Sequence, residues 1–212
     1  QKKSIYDAMA TDAFFRHRGL ERQQYYVMTC HRRENVHIED SFRNILSLLH
    51  HIDRTVYFVA SYRTQKVLKE YALTLPSHVL MVDPIGHREM LALLVHSRGL
   101  ITDSGTMVEE SCILQVPSLQ IRHATERPQV YDAGSSVKFD PLRADRYPYE
   151  QVLEKFDTLY GRSWEHGFGD GHASERIVAD LAQRMQEDGF RRHRPEDYPY
   201  DTRRSYREDG LL

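Results

Sequence analysis

The sequence predicts an α/β protein built on a doubly wound parallel sheet of about six strands, with helices on both faces. Three observations predict it. Short apolar runs recur between Tyr25 and Phe139, with helical patterns between them. The runs are apolar throughout rather than alternating, as strands buried on both faces of a parallel sheet require. Polar clusters follow directly after several runs, at the strand ends where open parallel sheets receive their ligands.

The elements follow in order. Tyr25 to Cys30 reads as the first strand. Phe42, Ile45, Leu46 and Leu49 recur at i, i+3, i+4 and i+7, the stripe of an amphipathic helix. Val56 to Ala60 reads as the second strand and Thr64 to Tyr71 as a helix. Val79 to Val82 forms the third strand, and Met90, Leu91, Leu94 and Val95 mark the next helix. Leu100 to Thr102 is a fourth strand, followed by a helix over Thr106 to Leu114. Ser118 to Ile121 and Val137 to Phe139 supply strands five and six. Two helices close the pattern, near Tyr149 to Tyr160 and Ala173 to Asp188. Between them, Gly167-Phe168-Gly169-Asp170-Gly171 reads either as a plain turn or as a functional motif. From Phe190 onward the chain is charged, interrupted by proline and without periodicity, as expected of an irregular tail. The division this predicts is a helix and linker over 1–23, a sheet domain over 24–189 and a tail over 190–212.

Composition narrows the function classes. The 212 residues are 40% apolar and 28% charged, enough for a core without disulfides. A net charge of −2 gives no electrostatic case for nucleic acid. No stretch reaches the roughly 20 apolar residues of a membrane-spanning helix. Cys30 and Cys112 lie in apolar segments outside any Cys-x-x-Cys, so they read as buried thiols in a reducing cytoplasm. The chain begins at Gln1 without a signal pattern, from which we expect a piece of something longer.

Three polar clusters sit at predicted strand ends: residues 29–35, 102–106 and 122–128. In the second, Gly105 lets a ligand approach the backbone. The free amides of the helix behind it favour a phosphate, with Ser104 as an added hydroxyl. Glu110, a turn further on, tilts back toward that end. The same stretch also fits a plain helix cap at Asp103 or Ser104, with Glu109 and Glu110 solvated. His31 can bind an anion or shuttle a proton, but it is one of 12 histidines. Arg122, Glu126 and Arg127 fit either a phosphate clamp or an internal salt-bridge network. No histidine or cysteine spacing reads as a metal site.

Together the clusters resemble the non-hydrolysing UDP-N-acetylglucosamine 2-epimerases. The motifs stand here as Cys30-His31-Arg32-Arg33-Glu34-Asn35, as Thr102-Asp103-Ser104-Gly105-Thr106 running to Glu109-Glu110, as Arg122-His123-Ala124-Thr125-Glu126-Arg127-Pro128, and as Phe168-Gly169-Asp170-Gly171 leading to Ile177. The resemblance covers roughly residues 20 to 185 and is to the second, UDP-holding domain of a GT-B-like pair of Rossmann-like domains. It implies that His31, Ser104 and Gly105 meet the diphosphate, His31 as the catalytic side chain, and that Thr106 belongs to the substrate-binding set. It implies that Glu110 meets the ribose, that the backbone from His87 to Met90 faces the uracil, and that Arg122, Thr125, Glu126 and Arg127 line the cleft. Arg32 matches a residue near the regulatory UDP-sugar site of bacterial members. The family needs no metal or nicotinamide and is homodimeric when whole. Its acid/base carboxylates belong to the first domain, which this chain lacks, so the chain alone is expected to bind a UDP-sugar without turning it over.

Thr106 replaces the second glycine of the family motif. That variant resembles the branch acting on UDP-2-acetamido-6-deoxy sugars, which Pro195-Glu196-Asp197-Tyr198 fits loosely. A GT-B glycosyltransferase domain and a non-catalytic UDP-sugar sensor are the competing readings.

Overall fold

The computed structural model of the chain describes residues 10–187. The expected 190–212 tail and the first nine residues lie outside them. Six parallel strands form one sheet in the order β3-β2-β1-β4-β5-β6. They are β1 (Tyr25–Thr29), β2 (Thr55–Val59), β3 (Val79–Val82), β4 (Gly99–Thr102), β5 (Ser118–Ile121) and β6 (Ser136–Phe139). The doubly wound class expected from the apolar runs is the one observed.

The central strands β1, β4 and β5 are buried along almost their whole length, and successive residues of β1 serve two cores. Tyr26 and Met28 of β1 join Phe42, Ile45, Leu49 and Phe156 on one side. Tyr25 and Val27 join Leu91, Leu94 and Leu100 on the other. Ala10, Phe15 and Leu20 belong to that second core, so the segment before β1, including α1 (Asp12–Arg16), packs against the sheet.

The crossovers are helical. A single turn, α2 (Arg33–Val36), precedes α3 (Glu39–His50), whose buried face carries the predicted stripe. Glu39 and Asp40 in its first turn and His50 in its last suit the helix dipole. Helix α4 (Tyr62–Glu70) begins two residues before the expected Thr64, because Ser61 caps it by accepting from Thr64 N at 3.2 Å. Helices α5 (His87–Val95) and α6 (Gly105–Ile113) follow. The short α7 (Gln129–Asp132), a 3₁₀ segment (Pro141–Arg146) and α8 (Tyr149–Thr158) complete the first unit. Both α2 and the 3₁₀ segment escaped the sequence reading, since neither is long enough to show a period.

The chain divides into two compact units between His166 and Gly167. In the second, Gly169 and Gly171 take φ of +81° and +94°, a backbone region that excludes most side chains. Asp170 accepts from His172 N at 3.1 Å and from Arg176 Nη1 at 3.0 Å. The glycine-rich loop turns into α9 (Ala173–Glu187), which exposes Ile177, Val178, Leu181 and Met185.

Gly99 opens β4 where no side chain fits. A Cβ there would stand 2.6 Å from the buried Phe156 ring and 3.1 Å from Pro117 O. Neither can retreat, the ring because it is locked in the core and the carbonyl because it belongs to the backbone. Gly99→Ala should destabilise the fold by about 1–3 kcal/mol, the usual cost of overpacking, read as a lower urea midpoint with unchanged slope.

Candidate functional site at the sheet switch point

Strand order reverses between β1 and β4, which pair in parallel through Thr29 and Thr102. In a doubly wound sheet the loops leaving the carboxyl ends of such a pair part to opposite faces, which is where a crevice opens. The two threonine hydroxyls meet at 2.6 Å, and Thr102 Oγ1 also accepts from Ser104 N at 3.0 Å. This fixes the start of the next turn.

Asp103 follows, fully buried. Its Oδ2 accepts from His31 N at 2.9 Å, Arg32 N at 2.8 Å and Asn35 Nδ2 at 3.1 Å. Arg32 Nε donates back to the Asp103 carbonyl at 3.0 Å. Asn35 Nδ2 also donates to Ile121 O at 2.8 Å, so the end of β5 joins the same knot. Oδ1 makes no aligned hydrogen bond and faces the His31 imidazole, with Nδ1 3.1 Å away.

The pairing sets protonation. The contact with Asp103 raises the His31 pKa above 6.5, outweighing burial and the nearby Arg32 and Arg63 charges. Burial alone would raise the Asp103 pKa, yet the interactions with His31 and the two backbone amides hold it below the usual carboxylate range. The two linkages have opposite signs. The His31 contribution to stability is complete below its unfolded pKa and fades as pH rises through its folded pKa. The Asp103 contribution holds above its unfolded pKa and fades as pH falls through its folded one. The pair is strongest at mildly acidic pH.

Helix α6 starts on the other wall. Ser104 is its N-cap, with Oγ accepting from Met107 N at 3.4 Å, which leaves the hydroxyl proton free to donate. The expected cap alternatives thus resolve: Ser104 caps, while Asp103 turns inward. Gly105 presents bare backbone to the crevice, and Glu126 Oε1 stands 2.5 Å from where a Cβ would project. Glu126 is held there by Arg32 Nη2 at 2.7 Å and Arg122 Nη1 at 2.6 Å. Burial alone would raise its pKa, but its own amide, Arg122 and Arg32 together lower it. A carboxylate of the chain therefore lies against the amide-rich end of α6 while remaining 43% exposed.

The remaining predicted residues group into contacts. Glu110 Oε1 meets His87 Nε2 at 2.7 Å, and its buried Oε2 has no hydrogen-bond partner. The Met90 side chain is buried in the core, so only its backbone can serve a ligand. Arg122 is buried and also faces Glu34 at 3.4 Å. Thr125 Oγ1 accepts from Gln120 Nε2 at 2.9 Å and Arg127 N at 3.1 Å, bracing its loop. Arg127 pairs with Glu109. Thr106 is exposed at the rim. In this structure the arginines of the third cluster thus form the salt-bridge network that was one of their two readings.

Asp103, Asn35, Glu34 and Glu109 stood in the quoted motifs but not among the candidate residues. The available signal was an acid closing the apolar run Leu100-Ile101-Thr102, where burial demands partners.

The sequence profile described as UDP-N-acetylglucosamine 2-epimerase matches residues 1–182. The UDP-N-acetylglucosamine 2-epimerase of Methanocaldococcus jannaschii is 34% identical over 167 residues, covering 74% of this chain and 44% of that protein. The UDP-2,3-diacetamido-2,3-dideoxy-D-glucuronate 2-epimerase of Pseudomonas aeruginosa is 29% identical, covering 78% of this chain and 46% of its own length. A crystal structure of the M. jannaschii enzyme in complex with UDP-N-acetylglucosamine and UDP superposes with a TM-score of 0.69 at 27% identity, over 83% of this chain and 50% of that one. The chain spans about half the length of the curated relatives it matches. The profile match over most of the chain, together with the 34% identity to the M. jannaschii enzyme, shows that it belongs to the UDP-N-acetylglucosamine 2-epimerase family.

Proposed function

We propose that this chain is the UDP-holding half of a UDP-sugar 2-epimerase. The observation that carries the reading is the α6 entrance at the switch point: the Gly105 backbone, the Ser104 hydroxyl and the Arg32 guanidinium gather there around one carboxylate, Glu126, with His31 next to Arg32 in the same loop. A diphosphate matches that set in charge and donor count. Glu110 suits a ribose one turn deeper, because its buried Oε2 lacks a partner that a sugar hydroxyl can supply.

The reaction follows from the leaving group. A base removes the proton on C2 of the sugar, and the C1–O bond breaks as UDP departs, leaving a C1=C2 double bond. UDP re-forms the bond to C1 while a proton returns to the opposite face of C2. The chain's part is to keep UDP in place between the two steps, since a lost leaving group cannot re-add. The acid/base carboxylates come from a first domain that pairs with this one. Ile38 and Tyr62, 43% and 69% exposed at the strand carboxyl ends, supply apolar surface for it. The whole enzyme is read as a cytoplasmic homodimer. The buried, unpaired Cys30 and Cys112 fit that compartment. Thr106 favours a 2-acetamido-6-deoxy sugar as the substrate.

Three measurements test the reading. Calorimetric titration should show UDP binding, and Glu110→Gln should weaken UDP more than it weakens pyrophosphate; equal loss for both would remove the ribose contact. UDP affinity should fall as pH rises through the raised His31 pKa, since a diphosphate prefers the imidazolium. His31→Gln should lose that fall and keep only the ionisation of UDP itself, whose terminal phosphate titrates near 6. The chain alone should show no epimerisation by proton NMR, and turnover by it would place the acid/base groups here.

A further inference from the structure

Resting on the reading of His31 as the diphosphate-facing side chain, we propose that Asp103 is its positioning residue. The buried carboxylate stands against Nδ1 of the imidazole, fixes the ring and leaves the other ring nitrogen for the ligand. The geometry divides the carboxylate between two tasks. Oδ2 is saturated by His31 N, Arg32 N and Asn35 Nδ2, so the backbone carrying His31 is fixed by the same group that faces its ring. Oδ1 is buried and has no aligned hydrogen bond. The cation beside it is the His31 ring, with Nδ1 at 3.1 Å.

With the His31 amide tied to Oδ2 and Nδ1 standing beside Oδ1, one carboxylate restrains both the backbone and the ring. The His31 side chain remains 48% accessible. A purely structural aspartate would need only the Oδ2 contacts.

The charged groups around the ring sharpen the argument. Arg32 and Arg63 both oppose an imidazolium, and so does partial burial. The buried Cys30 thiol beside Asp103 is held protonated by burial and by the carboxylate, so it adds no charge. Asp103 is thus the group that opposes these effects. Without it, His31 would lose its proton sooner than a free histidine does, and the crevice would lose a cation where the ligand carries most charge.

Asp103→Asn separates the tasks. The amide oxygen can still accept from the two backbone N–H groups, while the NH₂ turns toward Nδ1 and opposes its protonation. Proton–nitrogen NMR of the full chain, with His31→Gln to assign the signal, should show the His31 midpoint falling in Asp103→Asn by about one pH unit or more, as expected for removing a close opposite charge. An unchanged midpoint in a folded variant would overturn the proposal. Should the variant fail to fold, the wild-type chain decides: above its midpoint, neutral His31 should carry its proton on Nδ1, and a proton on Nε2 would overturn it. None of these readouts needs a nucleotide. UDP titration of the same wild-type sample therefore reports separately on the proposed function.

Discussion

Stripping the partners from a buried carboxylate costs about 3–5 kcal/mol, so a chain that buries one must build around it. Here the carboxylate is Asp103, and what is built around it is the site. Its contacts reach residues 31, 32 and 35 after β1, and through Asn35 they reach the end of β5. Three loops that are distant in sequence share one anchor. The position of Ser104 and Gly105 on one wall and of His31 and Arg32 on the other follows from it.

The sheet supplies the reason those loops meet. In the order β3-β2-β1-β4-β5-β6, β1 and β4 are neighbours whose crossovers leave to opposite faces. No other adjacent pair leaves such a gap at its carboxyl ends. Polar groups placed there are reachable by ligand while their backbones stay fixed by apolar packing on both sides. The two cores, one around Phe42 and Phe156 and the other around Tyr25 and Leu94, make the crevice floor stiff.

Much of this was legible in the residues. Apolar runs announced the strands, most cleanly β1, β2 and β4, whose residues are almost all buried; in β5 and β6 Gln120 and Lys138 interrupt the run. The stripe of Phe42, Ile45, Leu46 and Leu49 announced α3. The motifs brought the right loops together, yet the partners within them were not readable. Whether Arg122 clamps a ligand or pairs with Glu126 depends on distances that spacing does not encode. Asp103 looked like a helix cap beside Ser104, and only the fold shows one residue turning inward and the other taking the cap. Glu110 and His87 lie on different helices, so their contact had no local signature.

The carboxylate of Glu126 against Gly105 has a further consequence. Like charges at one helix mouth repel, so the chain's own carboxylate already takes the electrostatic place that the dipole of α6 offers to an anion. Arg32 and Arg122 clasp it from two different loops, and the mouth carries its counter-charge as part of the fold.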